Sequence, residues 1–347
     1  MLTVRNVGEQ GILQRVQAFC PPELVGDDAA ILNPQPGQSL VVTTDLMVDG
    51  VHFSDRTTAP EDVGWRAAAA NLSDLAAMGA MPLGITVGLG LPGELAVTWV
   101  ERLYQGLTDC LSRYQTPVVG GDVVRSPVIS VAIAAFGQVA PNRIIRRSSA
   151  RPGDTIMVTG YHGAARAGLE LLLHPNLENP LSLSQQASLI QAHQHPIPRL
   201  DVLPLLGLVA DQQPAGPTNS TPCIEPPAVT EPIAGMDSSD GLADAIVQIC
   251  RASGVGANIN RSQVPIPPAV IHWVGPDQGL EWALYGGEDF ELVLCLPPTV
   301  AKFLVAQLGP GAACIGQITT DPGVWLVDDQ GQPLQILTLE QGFQHFT

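Results

Sequence analysis

The sequence predicts a two-domain α/β protein. At 347 residues the chain is about twice as long as a typical domain. Apolar runs with strand character alternate with helical patterns in two series, and an arginine-rich stretch over residues 143–151 joins them. We therefore expect an N-terminal domain over residues 1–140 and a C-terminal α/β domain over residues 151–347.

The N-terminal domain is predicted to begin with a helix. Apolar residues recur at near-helical spacing from Val4 to Phe19, and Pro21 and Pro22 stop the pattern. The next elements are a strand ending in an acid over 39–45, an alanine-rich helix over 62–80, a strand over 84–91, an amphipathic helix over 97–114, and buried strands over 116–122 and 128–139. This mixture of strands and helices predicts one compact unit.

The C-terminal domain is predicted to be a second α/β unit. Its elements are a strand over 154–160, a helix over 163–173, a strand, acidic turn and helix over 233–254, an acidic turn and strand over 286–297, and a short helix over 301–309. Residues 211–232 are rich in Pro, Thr, Ser and Gln. They predict an exposed insertion, because this composition cannot bury enough apolar area to form a packed element.

Charge and cysteine content limit the classes of function. Thirty-three acidic residues against 16 basic ones give a formal net charge of −17, which argues against nucleic acid or an anionic membrane as the main partner. The six cysteines show no CxxC and no metal-binding spacing, and no secretory signal or uninterrupted membrane span is recognisable. These features predict reduced thiols in a cytoplasmic protein.

Acidic residues that follow apolar runs are the most informative feature of the chain. Asp45 ends TTD, Asp122 ends GGD and Asp237 begins DSSD, so each is predicted at the junction of a strand and a turn. Carboxylates that converge in one cleft repel one another unless a cation lies between them. Mg²⁺, which prefers oxygen ligands and substrate phosphates, is the expected cation.

Small residues beside these acids predict phosphate binding as well. They leave backbone amides accessible, and a helix that starts after such a turn points its N–H groups at an anion. The expected phosphate contacts are Ser238, Ser239 and Gly241. For single acids a purely structural role stays open. Asp240 is also suited to capping its helix, and Asp74 is also suited to the surface of a helix. The joint pattern favours a site for a magnesium nucleotide.

The basic residues restrict how a phosphate is held. Lys302 is the only lysine and no glycine-rich loop precedes it, which excludes a Walker-type lysine. Four arginines lie near the predicted domain junction, namely Arg143, Arg146, Arg147 and Arg151. They form either a solvated hinge or a clamp on a triphosphate. His193 and His195 lie in a polar, proline-bounded stretch and are expected on a loop surface rather than at zinc.

Seven segments together resemble one family. In order they are GDDAAIL, TTDLMVDGVHF, NLSDLAAMGAMP, VGGDVVRS, RSSARPGD, DSSDGLADA and GGEDFEL, and they resemble the thiamine-monophosphate kinase family of the aminoimidazole ribonucleotide synthetase superfamily. The resemblance covers nearly the whole chain. It implies a two-domain aminoimidazole ribonucleotide synthetase-like fold of α+β type, a homodimer formed through the N-terminal domain, and an active site shared across that dimer. The activity it implies is transfer of the γ-phosphoryl group of ATP to thiamine phosphate.

The resemblance also implies roles for individual residues. The ligands of several Mg²⁺ ions would be Asp28, Thr43, Thr44, Asp45, Asp74, Asp122, Asp237 and Asp240. ATP would contact Tyr104, Gly121, Asp122, Arg147 and Ser239, and thiamine phosphate would contact His52, Glu288 and Phe343. Asp45, Asp122 and Asp237 would be the catalytic residues. Because the acceptor phosphate is already ionised at neutral pH, direct in-line transfer without a general base is expected.

Two other kinds of function are weighed against this one. Selenophosphate synthetase and aminoimidazole ribonucleotide synthetase should carry a lysine near the N-terminus, and a hydrogenase-maturation relative should carry a C-terminal cysteine; neither feature is present. Another ATP-using member of the superfamily is thus disfavoured. A non-catalytic magnesium–nucleotide sensor would bind nucleotide without turnover.

Overall fold

The structure of the chain is a computed structural model that describes residues 2–25, 28–207 and 231–342. The chain divides into two compact units. The first comprises Met1–Leu75, Pro82–Gln138 and Ala165–Pro198, and the second comprises Ala76–Met81, Val139–Ala164 and Arg199–Thr347. Residues 165–198 group with the first unit, so the units do not follow one cut in the sequence. The domain bounds 1–140 and 151–347 stay a prediction.

The described residues form helices and strands in an alternating order. The helices are α1 (Val4–Val16), α2 (Pro60–Ala77), α3 (Val97–Ser112), α4 (Ala164–Leu173), α5 (Leu183–Gln194), α6 (Val202–Leu205), α7 (Leu242–Ser253), α8 (Pro268–Tyr285) and α9 (Pro298–Leu308). The strands are β1 (Ser39–Val48), β2 (Met81–Leu91), β3 (Val118–Arg125), β4 (Ser130–Val139), β5 (Thr155–Val158), β6 (Ala234–Asp237), β7 (Gly256–Asn260), β8 (Leu292–Leu296), β9 (Ala313–Thr319), β10 (Val324–Val327) and β11 (Pro333–Ile336).

Each predicted strand and helix has a counterpart among these elements, with different ends. The elements that the sequence reasoning missed are α5, α6, α8, β7, β9, β10 and β11. Two of the predictions fall on residues outside the described ranges: Phe343, and the insertion over 211–232 except for its last two residues.

The first unit contains a four-stranded sheet in the order β1-β4-β2-β3. Leu72 of α2, Ile85 of β2 and Leu103 of α3 are fully buried in the core of this unit. Burial alternates along β1, where Thr43 and Asp45 lie on the more buried side and Leu40, Val42 and Leu46 are exposed. The strand order makes β1 and β3 the two edges of this sheet.

The second unit contains a seven-stranded sheet in the order β11-β10-β7-β9-β5-β8-β6. Its pairs are antiparallel except for β7 and β10. The apolar side of α7, including Leu242, Ile246 and Ile249, is fully buried in the core of this unit. In the pair β6–β8, Asp237 lies opposite Leu292. The end of β6 therefore adjoins the start of β8, and this register builds one part of the candidate site.

Candidate active site

The inner side of β1 brings predicted metal ligands together in the first unit. The hydroxyl of Thr43 donates a short hydrogen bond to Oδ2 of Asp74, which lies on α2. The backbone N–H of Asp45 donates to Oδ1 of Asn71 at 3.2 Å, one turn earlier on the same helix. Asn71 is fixed in turn by a bond from its amide nitrogen to the carbonyl oxygen of Ala67 at 3.0 Å. Asp74 is therefore half-buried against β1 rather than on the helix surface.

The predicted placement of two acids at strand ends is wrong. β1 continues past Asp45 to Val48, and β3 continues past Asp122 to Arg125, so both acids lie within strands. Both strands are edges of the sheet, where a charged side chain can keep contact with solvent inside a regular strand. Only Asp237, the last residue of β6, lies at the end of its strand as predicted.

Asp45 and Asp122 lie on opposite edges of the four-stranded sheet. Asp122 pairs with Gly88 of β2, and Gly88 adjoins Ala132 of β4. On the other side of β4, the hydroxyl of Thr44 donates to the carbonyl oxygen of Ile133 at 2.8 Å. The acids are thus at one level of the sheet, three strand spacings or roughly 14 Å apart. One copy of this sheet does not bring both carboxylates to one metal ion.

A pocket in the first unit gathers four predicted residues. Asp28, Tyr104, Gly121 and Asp122 line it together with apolar residues of α1 and β3, and the pocket is open to solvent. Tyr104 is only 3% exposed, and burial raises the pKa of its phenol. Its hydroxyl therefore stays protonated at neutral pH and keeps its ability to donate a hydrogen bond.

Gly121 is required by the packing of the sheet itself. A Cβ atom at this position would lie 2.1 Å from the carbonyl oxygen of Val87 on β2. From the sequence, the small residues beside Asp122 were expected to leave backbone amides accessible to a phosphate. The close strand contact is a sufficient reason for glycine here.

His52 lies in the turn after β1 and is half-buried. Its Nδ1 accepts a hydrogen bond from the N–H of Val48 at 3.1 Å, and its carbonyl oxygen accepts one from Arg66 at 2.9 Å. Because Nδ1 is an acceptor, the neutral ring carries its proton on Nε2. The Nε2–H group is then a donor suited to an anionic oxygen.

The second unit brings Asp237, Ser239 and Glu288 together. The hydroxyl of Ser239 donates to Oδ1 of Asp237 at 3.0 Å, and the N–H of Glu288 donates to the carbonyl oxygen of Ser239 at 2.7 Å. The antiparallel register of β6 and β8 is the reason, since it sets the turn after Asp237 beside the turn before Leu292. Two motifs that lie about fifty residues apart in sequence thereby form one surface.

The turn that carries Glu288 is strained. Gly287, Glu288 and Phe290 have φ angles of 65°, 60° and 52°. The left-handed region costs a residue with a side chain about 1–2 kcal/mol, and such costs are typical of functional sites. The neighbouring Asp289 accepts a hydrogen bond from the N–H of Gly163 at 2.7 Å, which ties the turn to the start of α4.

One prediction for the acidic turn is corrected, and one alternative for Asp240 is removed. The N–H of Ser238, predicted to contact a phosphate, donates instead to the carbonyl oxygen of Glu291 at 2.8 Å, and its hydroxyl lies 3.1 Å from Nε2 of His162. The N-cap of α7 is Gly241 without a side-chain cap, so Asp240 does not cap this helix. Asp240 is exposed, beside the partly exposed Ser239.

The four arginines near residue 147 differ in their contacts, all within the second unit. Arg147 is exposed and donates to Oε1 of Gln248 on α7 at 2.7 Å. Arg143 donates to the carbonyl oxygen of Gly207, and Arg151 forms an ion pair with Glu231. Three members of the predicted cluster thus have protein partners.

The loop-surface prediction is wrong for His193, whereas His195 lies just after the end of α5 and is half-buried. His193 lies inside α5 and is 2% exposed. His195 stacks on Trp65 with ring centroids 4.6 Å apart, and its Nε2 lies 2.7 Å from Oδ1 of Asp62. The polar composition of α5 concealed it, because a helix with few apolar residues gives no strong periodic pattern.

The oxygen atoms of Thr43 and Asp74 fit a hard cation such as Mg²⁺. Across residues 2–25, 28–207 and 231–342, however, no three His, Cys, Asp or Glu side chains are grouped to hold a metal ion. The eight predicted ligands lie on different elements: Thr43, Thr44 and Asp45 on β1 with Asp74 on α2, Asp28 and Asp122 at the pocket, and Asp237 and Asp240 at the end of β6 and in the turn after it.

Several residues of the site were not assigned from the sequence. Asn71, His162 and Glu291 each contact a predicted site residue or its neighbour. Asn71 and Glu291 belong to the motifs NLSD and GGEDFEL, so the motifs were the available signal for them. His162 stands alone in GYHGAA, and no pattern in the sequence indicates its partner.

Comparison with known proteins connects this arrangement with a family. Residues 26–139 match the family model described as AIR synthase related protein, N-terminal domain. Thiamine-monophosphate kinase of Synechococcus elongatus is 52% identical over 347 residues, covering 99% of this chain and 98% of that protein. Thiamine-monophosphate kinase of Escherichia coli is 36% identical over 330 residues, covering 93% of this chain and 91% of that protein.

Solved structures agree in fold. A thiamine-monophosphate kinase from Stenotrophomonas maltophilia has a TM-score of 0.74 at 31% identity, covering 94% of this chain and 96% of that one. A ThiL protein complexed with AMPPCP and TMP has a TM-score of 0.69 at 29% identity, covering 96% and 97%. The hydrogenase maturation protein HypE, with a TM-score of 0.71 at 18% identity, shares the fold. With full-length relatives at this level of identity, the chain belongs to the thiamine-monophosphate kinase family.

Proposed function

We propose that this chain transfers the γ-phosphoryl group of ATP to thiamine phosphate, giving thiamine diphosphate and ADP. The observation that carries the proposal is the contact between the turns of Asp237 and Glu288, which sets an acid suited to a metal beside an acid suited to a cationic substrate. A relative of this fold is complexed with AMPPCP and TMP, an arrangement that the reaction requires.

The nucleotide contacts proposed for the first unit are Tyr104, Gly121 and Asp122. All three line one pocket, where the protonated phenol of Tyr104 is a donor for an acceptor atom of the nucleotide. In the second unit, Ser239 and Arg147 supply a hydroxyl and a guanidinium for phosphate oxygens. Arg147 is exposed beside α7, whose first turn follows Ser239. Phosphate binding at a helix start agrees with the helix dipole.

Magnesium is proposed as the metal, bound by Asp28, Thr43, Thr44, Asp45, Asp74, Asp122, Asp237 and Asp240. Bound Mg²⁺ supplies charge neutralisation on the transferring phosphoryl group. Thr43 and Asp74 already bring their oxygen atoms together across β1 and α2, which supports the ligand assignment at this point.

Thiamine phosphate is proposed to contact His52, Glu288 and Phe343, the last of which lies outside the described residues. The Nε2–H of His52 donates to a phosphate oxygen, and the carboxylate of Glu288 attracts the thiazolium cation. No residue has to remove a proton, because the acceptor oxygen is already ionised. The chain's part in the transfer is to position both phosphates in line.

An assay of ADP release tests the function. The chain should release ADP from Mg–ATP rapidly with thiamine phosphate and at a small fraction of that rate with thiamine, which lacks the acceptor phosphate. A non-catalytic nucleotide sensor predicts nucleotide binding with no ADP under either condition. Equal ADP release with and without thiamine phosphate contradicts the proposal.

We further propose a homodimer formed through the first unit. Leu40, Val42 and Leu46 on edge strand β1 are 52%, 56% and 54% exposed, an apolar row that a second copy can cover. Sedimentation at micromolar concentration should give twice the 36.5 kDa of the chain. Val42→Glu should yield monomers without activity, whereas Leu183→Glu, at an apolar residue that is 84% exposed, should leave the dimer intact. A fully active monomer contradicts a shared site.

A cytoplasmic location is proposed from the state of the cysteines. The five cysteines within the described ranges are free thiols, and three of them are buried. No helix in those ranges is long and apolar enough to cross a membrane. Free thiols are typical of a reducing compartment.

A further inference from the structure

His162 is a fully buried histidine to which the proposed mechanism gives no role. Its ring makes two contacts, Nδ1 to the carbonyl oxygen of Gly160 at 3.2 Å and Nε2 to the hydroxyl of Ser238 at 3.1 Å. Ser238 directly follows Asp237 on the acidic turn. The histidine therefore lies beneath the part of the second unit that carries the proposed metal and substrate residues.

The two contacts fix the tautomer of His162. A carbonyl oxygen only accepts, so Nδ1 must donate to Gly160. Burial lowers the pKa of this histidine to about 4, so the ring is neutral at pH 7 and Nε2 is an acceptor. The hydroxyl of Ser238 then has to donate to Nε2. The same hydroxyl accepts a hydrogen bond from the N–H of Glu291 at 3.2 Å.

Ser238 thereby joins the two turns of the site. Its backbone N–H donates to the carbonyl oxygen of Glu291 at 2.8 Å, and the N–H of Glu291 donates to the hydroxyl of Ser238. Glu291 is itself fixed by Thr159 and Arg199, each 2.5 Å from Oε2 of its carboxylate. With its hydroxyl oriented by His162, Ser238 links the turn of Asp237 by hydrogen bonds to the segment between Glu288 and β8.

We infer that His162 is a positioning residue of the kinase site, which orients the Ser238 hydroxyl and so fixes Asp237 relative to Glu288. The inference rests on the proposed function of these two acids. His162 has no contact with substrate in this role. Its effect is on the geometry in which metal and acceptor are held, where small displacements are costly to catalysis.

Two amide variants separate the positioning role from simple burial. Glutamine reaches the place of Nε2 and keeps an acceptor for Ser238, whereas asparagine reaches the place of Nδ1 and keeps only the bond to Gly160. His162→Gln should keep kcat/KM for thiamine phosphate within about threefold of wild type, while His162→Asn should lower it about tenfold to a hundredfold, the range for a buried group left without its partner. Ser238→Ala removes this bond and also the one from the N–H of Glu291, so it should lower kcat/KM at least as much as His162→Asn. The double variant should be no worse than Ser238→Ala.

A second readout does not depend on activity. Amide hydrogen exchange, measured by mass spectrometry on peptides covering residues 234–242 and 286–292, should speed up in both peptides for His162→Asn and in neither for His162→Gln. His193→Asn, at a buried histidine of the first unit, is the control and should change neither these peptides nor the KM for thiamine phosphate.

The outcomes are distinguishable. If wild type releases no thiamine-phosphate-dependent ADP, the proposed function fails, while the exchange data still test the link between the turns. If wild type is active and the two amide variants have equal kcat/KM and equal exchange, the inference is overturned. If His162→Asn does not fold, Ser238→Ala decides, because it removes the bond to His162 along with the one from Glu291. Wild-type kinetics in that variant overturn the inference.

Discussion

Asp45 and Asp122 lie at one level of the four-stranded sheet but on its two opposite edges, roughly 14 Å apart. Both are proposed ligands of the magnesium ions at the active site. A single copy of the sheet cannot place them on the same ion. If they bind the same ion, one of them must come from a second copy. The proposed dimer would then be required to complete the metal site.

Subunit complementation tests this relationship. Asp45→Asn and Asp122→Asn should each abolish turnover while leaving the fold intact. When the two inactive variants are mixed and allowed to exchange subunits, about a quarter of wild-type activity should return, because half of the dimers are mixed and each has one unaltered site. If both acids serve a site within one chain, each site in the mixed dimer keeps one substitution and no activity returns.

His52→Ala is expected to raise KM for thiamine phosphate with only a modest effect on kcat. The reason is the tautomer, since Nδ1 accepts from Val48 and leaves Nε2–H as a donor to the acceptor phosphate. His52→Gln, which carries an amide donor near the place of Nε2, should recover part of the affinity. Steady-state kinetics at saturating ATP give both constants. A fall in kcat of about a thousandfold at unchanged KM would identify a catalytic base instead.

Replacing Glu288 should change both the affinity for thiamine phosphate and the stability of the protein, and two variants separate these effects. Glu288→Ala and Glu288→Gly both remove the carboxylate and should raise KM for thiamine phosphate by similar factors. Since glycine tolerates the φ angle of 60°, Glu288→Gly should be about 1 kcal/mol more stable than Glu288→Ala in urea unfolding. Equal stability of the two variants would show that the left-handed turn stores no strain.

The buried His162 predicts a loss of stability in acid. Burial lowers its pKa to about 4, below the ordinary value of 6.5, so between these pH values the unfolded chain binds a proton that the folded chain does not. Stability from this group is complete above pH 6.5 and is lost as the pH falls toward 4, by up to about 3 kcal/mol. Compared with wild type, His162→Gln should lose less stability over this interval in urea unfolding; parallel curves would contradict the assignment.

The sequence predicted the strands that carry Asp45, Asp122 and Asp237 but misjudged where two of them end. A charged residue in an apolar run signals a strand end when the strand is central, whereas at a sheet edge the strand continues through it. Which strands are edges depends on the strand order, and no local pattern encodes that order. Asp237, on a short strand followed by a serine turn, was predicted correctly.

The contact between the Asp237 and Glu288 turns required the pairing register of β6 and β8. Motif resemblance named both residues without indicating that their turns are in contact. His162 shows the remaining gap, because its role follows from a hydrogen bond across 76 residues of sequence and from the tautomer that this bond imposes. Such a relationship can be recognised only from the tertiary structure.

The stoichiometry of the products tests the central claim most directly. Wild-type protein incubated with limiting Mg–ATP and excess thiamine phosphate should form thiamine diphosphate and ADP in equal amounts until the ATP is exhausted, with both products quantified in the same sample by chromatography. ADP that accumulates without thiamine diphosphate, or thiamine diphosphate that remains absent while nucleotide binds, would contradict phosphoryl transfer to thiamine phosphate.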